Sequence, residues 1–279
     1  MLVNTSRLQD AIWGLAVADA LGVPYEGMTR WSFTCSGMVS GGTHGMPAGT
    51  WSDDTSMTLA TCDSIKTCGA LDIHDMRERF VSWAADGAYT QTGESFGIGH
   101  TTYVALMQGK GCTDEQNNGN GSLMRIIPLA FTDATDEQIR EVSAITHAHD
   151  LSCDACVIYV HIARKLLEGK DITEAINECG PYEGRFSALN RFANSFACCE
   201  CTLRSTGFVL DTLDAALSCL LASQSFEESV LMAVNMGDDT DTVAAVTGAL
   251  AGIIYGKQAI PQSWIDELYK PEIIENVLF

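Results

Sequence analysis

Gly237-Asp238-Asp239-Thr240-Asp241-Thr242 runs straight into Val243-Ala244-Ala245-Val246-Thr247-Gly248-Ala249-Leu250-Ala251-Gly252, and the two halves carry different information. The second half is an apolar helix rich in alanine and glycine. Such a composition lets a neighbouring helix approach closely and suits a segment packed in the middle of a bundle. The first half places carboxylates and threonine hydroxyls in a turn just before that helix. Asp239 and Asp241 are two apart with Thr242 next, so all three converge when the backbone curls into the helix start.

A second cluster far upstream, Ser52-Asp53-Asp54-Thr55, has the same make-up and also leads into a helical run. Taken singly, either cluster is an ordinary helix start, with Ser52 as N-cap and acidic residues favoured in the first turn by the macrodipole. Occurring twice with matched hydroxyls, they read as two halves of one divided metal site. Several carboxylates are held close in a folded core only through protonation, basic partners or hard cations. Basic partners are scarce: the first downstream Lys or Arg is Lys66 for one cluster and Lys257 for the other. Oxygen-only ligands point to Mg2+, Mn2+ or Ca2+ rather than zinc.

Helical periodicity extends over most of the chain. Leu8, Ile12 and Leu15, then Met76, Phe80 and Trp83 after Asp72, then Ile139, Val142 and Ile145, then Leu213, Leu217 and Leu220 each mark one apolar face. Ser225 with Glu228 reads as a capping box, and Gly237 ends the helix that follows it. Residues compatible with strands occur only over 33–39 and 208–210. The expected fold class is therefore all-α, a compact multi-helix arrangement. With no linker, low-complexity tract or repeat of fixed period, residues 1–279 are expected to form a single domain. Glycine-rich loops at 37–49, 93–99 and 111–121 suit tight turns or close approach of phosphates to backbone N–H groups, and sequence does not separate the two uses.

Thirty-six acidic residues against sixteen basic ones give a net charge of -20, which repels a phosphate backbone and argues against a nucleic-acid partner. A small phosphorylated ligand is still admissible, because helix N-termini can reverse the field inside a cleft. The start of the chain lacks the pattern of a signal peptide and no apolar run reaches about 18 residues, so a cytoplasmic location without a membrane partner is expected. The eleven cysteines then serve as reduced, small apolar residues. Cys153 and Cys156, beside His147 and His149, could join Cys198-Cys199-Glu200-Cys201 in a zinc site. Their i, i+3 spacing in a run that continues Tyr159, Ile162 and Leu166 makes one face of a core helix the simpler reading.

Read in order, the chain offers Asp19-Ala20-Leu21-Gly22 with Glu26, then Gly49-Thr50-Trp51-Ser52-Asp53-Asp54-Thr55, Gly97-Ile98-Gly99, Gly119-Asn120-Gly121-Ser122-Leu123-Met124-Arg125, Thr146-His147, and residues 237–242. In this series it resembles the ADP-ribosylglycohydrolase family, which includes the dinitrogenase reductase-activating glycohydrolases, over about residues 8–264. The resemblance implies a central cleft with two divalent cations, Mg2+ or Mn2+, and cleavage of the bond joining ADP-ribose to a protein side chain, arginine as first expectation. By position it implies Ser52, Asp53, Asp54, Asp239, Asp241 and Thr242 as metal ligands. It implies Gly97, Gly99, Asn117, Asn118, Gly119, Asn120 and Gly121 around diphosphate and ribose, and His147 in the substrate cleft. Glu26 matches a glutamate near the metals and the reacting ribose, and Glu26, Asp53 and Asp239 are the expected catalytic, proton-handling groups. Arg125 is read as a structural cation that braces the acidic cluster by a buried salt bridge.

Four departures from the family pattern bear on this, the smallest being Ala18 in place of the usual glycine before Asp19. Ser52 stands where threonine is commoner and keeps the hydroxyl. Asp238 stands where glycine is frequent. Gly97 stands where nitrogenase-regulating members carry an aspartate, which weakens transfer of arginine specificity. The expected partner is an ADP-ribosylated protein or ADP-ribose. The rival readings are a hydrolase of a small-molecule or nucleic-acid ADP-ribose conjugate and a catalytically silent ADP-ribose-binding protein. The intact Asp pairs argue against the silent one.

Overall fold

Glycines set the centre of this structure, because they bring two helix backbones into contact. The computed structural model describes residues 5–179 and 203–279, so the Cys198 to Cys201 cluster lies outside the described residues. The described residues contain α1 (Thr5–Gly22), α2 (Asp53–Cys68), α3 (Ile73–Asp86), α4 (His100–Gln108), α5 (Asp136–Ser143), α6 (Asp150–Leu167), α7 (Ile172–Cys179), α8 (Val209–Ala222), α9 (Phe226–Val234), α10 (Thr240–Tyr255), α11 (Gln262–Glu267) and α12 (Glu272–Val277). They are all-α, as the periodicity requires. Of the two β-compatible stretches, 33–39 forms bends, and Phe208 makes one isolated bridge to Gly119 before Val209 opens α8.

Helices α1 and α10 run antiparallel against each other. A Cβ placed on Gly14 would sit 2.3 Å from the Gly248 carbonyl oxygen, one on Gly252 2.2 Å from that of Asp10, and one on Gly22 2.4 Å from the Asp241 Cα. Side chains are therefore excluded along the seam. Residues 11–22 of α1 and 240–253 of α10 are buried on every side: Ile12, Leu15 and Val17 on α1, and Val243, Ala249, Leu250 and Ile253 on α10, have no solvent exposure. That is the pattern of a helix at the middle of a bundle. Helices α2, α6, α8 and α9 pack around the pair, and the Tyr159 hydroxyl of α6 donates to the Val246 carbonyl of α10 at 2.8 Å. No helix of the described residues is long and apolar enough to cross a membrane.

Local signals set the helix ends. Ser52 caps α2, Asp72 caps α3, and Gly69 and Gly87 end these helices at φ 66 and 69. The Ser225 box is shifted by one residue. Ser225 Oγ accepts from the Glu228 N–H, but the Glu228 carboxylate accepts from Gln224 rather than from Ser225. Helix α5 stops at Ser143, so Ile145 is buried from the turn beyond it. Cys153 and Cys156 are buried on α6, as one face of a core helix.

Gly248→Val should cost about 3 kcal/mol through overpacking of the seam, read as a fall in Tm on the order of 10 °C. Gly37→Ala is the control. Its added Cβ would meet only the Trp264 indole at 3.9 Å, so its Tm should match wild type within about 2 °C.

Candidate active site

The α1 and α10 seam has a direct consequence for charge. It brings Asp19, one turn before the end of α1, beside the start of α10, and Asp19 in turn holds the start of α2. Its two carboxylate oxygens accept from the Ser52 N–H at 3.0 and 3.1 Å, and Oδ2 also accepts from the Thr55 N–H at 3.0 Å and the Thr55 hydroxyl at 2.6 Å. Upstream, the Gln91 side chain bonds the Trp51 N–H and the Gly49 carbonyl, which fixes the approach to that helix. The opposite half is held by the 27–30 loop. Gly27 N–H donates to the Asp238 carbonyl, Asp238 N–H to the Met28 carbonyl, and the Arg30 guanidinium to the Met236 and Leu203 carbonyls.

The two clusters predicted from sequence therefore meet. One carboxylate oxygen from each of Asp19, Asp54 and Asp241 lies within 4.8 Å of the others, and the same is true of Glu26, Asp239 and Asp241. Asp241 belongs to both groups. Ser52 Oγ and Thr242 Oγ1 both donate to Asp54 Oδ2, at 2.8 and 3.4 Å, and Asn120 Nδ2 donates to Asp239 Oδ2 at 2.7 Å. The Gly97 backbone passes over Asp53 so closely that a Cβ there would be 2.4 Å from Asp53 Oδ1. Ser52, Asp53, Asp54, Asp239, Asp241 and Thr242 thus share one location, with Glu26 at its half-exposed edge.

Burial first, and then mutual repulsion, pushes the carboxyls of Asp53, Asp54 and Asp241 well above their ordinary range. Burial also raises Asp239, and it raises Asp19 to about 6 against the four hydrogen bonds that Asp19 accepts. The hydrogen bonds and ion pairs of the described residues bring no Lys or Arg onto these five aspartates. Asp54 Oδ1 is buried without a hydrogen-bond partner. A set of crowded oxygens with an orphaned acceptor among them fits a hard divalent cation. By contrast, no metal-holding group among the described residues includes Cys or His. Cys153 and Cys156 bond to the His147 carbonyl and Ser122 hydroxyl instead, and His149 caps α6.

The loop of residues 117–121 forms the next layer. Asn120 bridges Asp239 and Thr212, whereas Asn117 accepts from Thr101 and Asn118 is buried, bonded to Glu115 and Ser152. The last two hold the loop's shape. Gly119 and Gly121 lie against the His147 ring, where an added Cβ would be 3.4 Å from Nε2 and 2.9 Å from Cε1. Gly99 is the N-cap of α4 and makes no side-chain cap. His147 is 2 % exposed, its Nδ1 paired with the Thr146 hydroxyl, and burial followed by nearby Arg125 brings its pKa down to about 3. It is a neutral imidazole. Arg125 does brace the site, but not through the expected salt bridge. Fully buried, with its pKa lowered to about 10 by desolvation, it donates to the Gly121 and Val142 carbonyls and to Thr146, and its guanidinium lies 4.4 Å over Phe80.

Two residues gain a place that sequence reasoning left unassigned. Asp19 was legible as part of a motif, but its role depends on a contact 33 residues away with the start of α2. His44 carries no spacing signal, yet its Nε2 pairs with Glu26 Oε2. Asp238 is exposed in a left-handed conformation, φ 57, with its backbone bonded to the 27–28 turn.

An all-α bundle with paired acidic clusters at the ends of its central helices defines a class, and comparison with known proteins agrees. The family model described as ADP-ribosylglycohydrolase matches residues 3–278. The chain belongs to the ADP-ribosylglycohydrolase family and is a hydrolase of that class. It is 32 % identical to the ADP-ribosylarginine hydrolase Tri1 of Serratia proteamaculans over 98 % of this chain and 78 % of that protein. It is 28 % identical to the ADP-ribosyl-[dinitrogen reductase] glycohydrolase of Rhodospirillum rubrum, over 94 % and 90 % respectively. A solved structure titled ADP-ribosylglycohydrolase-related protein complex superposes with a TM-score of 0.84 at 30 % identity, covering 100 % of this chain and 97 % of that one.

Raised carboxyl pKa values mean that the folded state retains protons that the unfolded state releases above pH 3.8. Stability contributed by these groups is therefore lost as pH rises from 3.8 through the raised values, about 6 for Asp19 and well above 3.8 for Asp53, Asp54 and Asp241. Protein stripped with a chelator should melt several degrees higher at pH 5 than at pH 8. Asp54→Asn should flatten that slope, and a divalent cation that raises the Tm of wild type should no longer do so in this variant.

Proposed function

We propose that this enzyme removes ADP-ribose from a modified protein side chain, arginine foremost, with two divalent cations, Mg2+ or Mn2+, held by Ser52, Asp53, Asp54, Asp239, Asp241 and Thr242. The observation that carries this reading is the pair of carboxylate groups sharing Asp241, with Asp54 Oδ1 orphaned between hydroxyl-bonded neighbours. Of the proposed ligands, Asp54, Asp239 and Asp241 belong to these groups, beside Asp19 and Glu26, and would hold the cations, whereas Asp53 enters neither group. The relative named as an ADP-ribosylarginine hydrolase supports arginine as acceptor. When bound, the cations would supply an activated water and offset charge that develops as the glycosidic bond breaks.

The chain's own residues do the remaining work. Gly97, Gly99 and the 117–121 loop would line the diphosphate and ribose: Gly97 packs closely on Asp53 and Gly119 and Gly121 on His147, while a Cβ on Gly99 would meet nothing within 4 Å. His147, neutral and fixed by Thr146, offers a hydrogen bond to ribose or phosphate without adding charge. Asn120 fixes the orientation of Asp239. An aspartate at Gly97 would collide with Asp53 Oδ1, so the proton-handling role falls to Glu26 at the half-exposed edge, with Asp53 and Asp239 behind it. Buried thiols such as Cys35, Cys62 and Cys156 suit a cytoplasmic setting.

Purified protein should release free ADP-ribose from an arginine-linked conjugate with Mg2+ or Mn2+ and fall to background in EDTA. Asp53→Ala and Asp239→Ala should each lose about 100-fold or more in kcat. Full activity in EDTA that survives both substitutions would sink the two-cation reading. Cleavage of a serine-linked or small-molecule conjugate in preference to the arginine one would replace the acceptor.

A further inference from the structure

We propose that His44 is a positioning residue for Glu26, holding its carboxylate at the edge of the acidic cluster; the inference rests on the reading of Glu26 given above. The geometry is built from three directions. Residues 41–46 form a tight turn closed by the Gly41 N–H donating to the Met46 carbonyl at 2.7 Å. That turn is fastened to the segment carrying Glu26. Thr43 donates through its N–H to the Pro24 carbonyl at 3.1 Å and through its hydroxyl to the Glu26 carbonyl at 2.5 Å. Gly42, at φ 67, lies so near that a Cβ would fall 1.9 Å from the Pro24 carbonyl oxygen.

At the tip of the turn, His44 Nε2 meets Glu26 Oε2. The pairing proposed here assigns the hydrogen to Nε2, with the carboxylate oxygen as acceptor. The other side of the imidazole lies against Phe96, with ring centroids 5.1 Å apart at 46°. Phe96 precedes Gly97, the residue packed on Asp53. His44 therefore touches both walls of the cleft, Glu26 on one and the loop over Asp53 on the other. A glutamate at the end of a flexible side chain would sample many rotamers beside the repelling Asp239 and Asp241. A donor on Oε2, backed by an aromatic ring, selects one of them, and misplacement of a reacting group by about 1 Å can cost about 100-fold in rate.

The test uses the full chain with Mn2+ and an arginine-linked ADP-ribose conjugate. His44→Ala should lower kcat by about 30- to 100-fold with KM within about 2-fold, and His44→Gln, whose amide can donate to the same oxygen, should recover to within about 5-fold of wild type. In a Glu26→Ala background, His44→Ala should change kcat by less than about 2-fold. Mn2+ binding followed by electron paramagnetic resonance should match wild type in His44→Ala. The proposal fails if His44→Ala turns over like wild type, if Gln does not rescue, if the loss persists without Glu26, or if Mn2+ binding disappears. Independently of turnover, the 15N resonance of His44 Nε2 should shift in Glu26→Ala while the other imidazoles do not. That shift upholds the pairing even where no conjugate is cleaved, a result that would count against the acceptor chemistry alone, and an unmoved resonance removes it.

Discussion

Repulsion among Asp19, Asp53, Asp54, Asp239 and Asp241 is the force that the rest of this structure restrains. Carboxylates this close and this buried raise one another's pKa values and oppose ionisation together. Left to their own energetics they would separate. They do not, because Gly14, Gly22, Gly248 and Gly252 let α1 and α10 touch backbone to backbone, and because Asp19 is bound at four points to the first turn of α2. The apolar core thus opposes an electrostatic spring, which hard cations would relax.

Around that centre, the neutral and charged groups divide by distance. Arg125 is buried and cationic, yet it is spent on carbonyl oxygens and the Phe80 face, and its field helps keep His147 uncharged. The site therefore has carboxylates on one side and a neutral imidazole with glycine backbone on the other. A diphosphate bound there, as proposed, would meet no fixed cation from Arg125 and would depend on backbone N–H groups and any bound metal for its counter-charge.

The parts of this arrangement that could be read from sequence are those whose physics is local. Helix periodicity, the Ser52 cap and the Ala/Gly content of α10 each follow from residues within a turn or two of one another. The coincidence of two hydroxyl-flanked acidic clusters pointed to their meeting, because nothing else nearby could neutralise them. What escaped depends on contacts that the order of residues does not encode. Asp19 acts on α2, Asn120 reaches Asp239 across 119 positions, and His44 finds Glu26 only through the shape of the 41–46 turn. Arg125 illustrates the same limit in reverse: a buried cation near acids suggested a salt bridge, whereas the fold turns its guanidinium toward carbonyls.

The antiparallel seam also orders events during synthesis. α1 leaves the ribosome well before α10, yet the glycine face it needs for burial belongs to α10, which begins at Thr240. Until that late segment emerges, α1 has no partner for its Gly14 face, and Asp53 and Asp54 lack the opposing half of their cluster. Contacts of such long range form late and slowly. A cation site that draws on both acidic clusters, as proposed, would therefore form only after the α10 segment has joined α1, which couples assembly of the reactive centre to docking of those two helices.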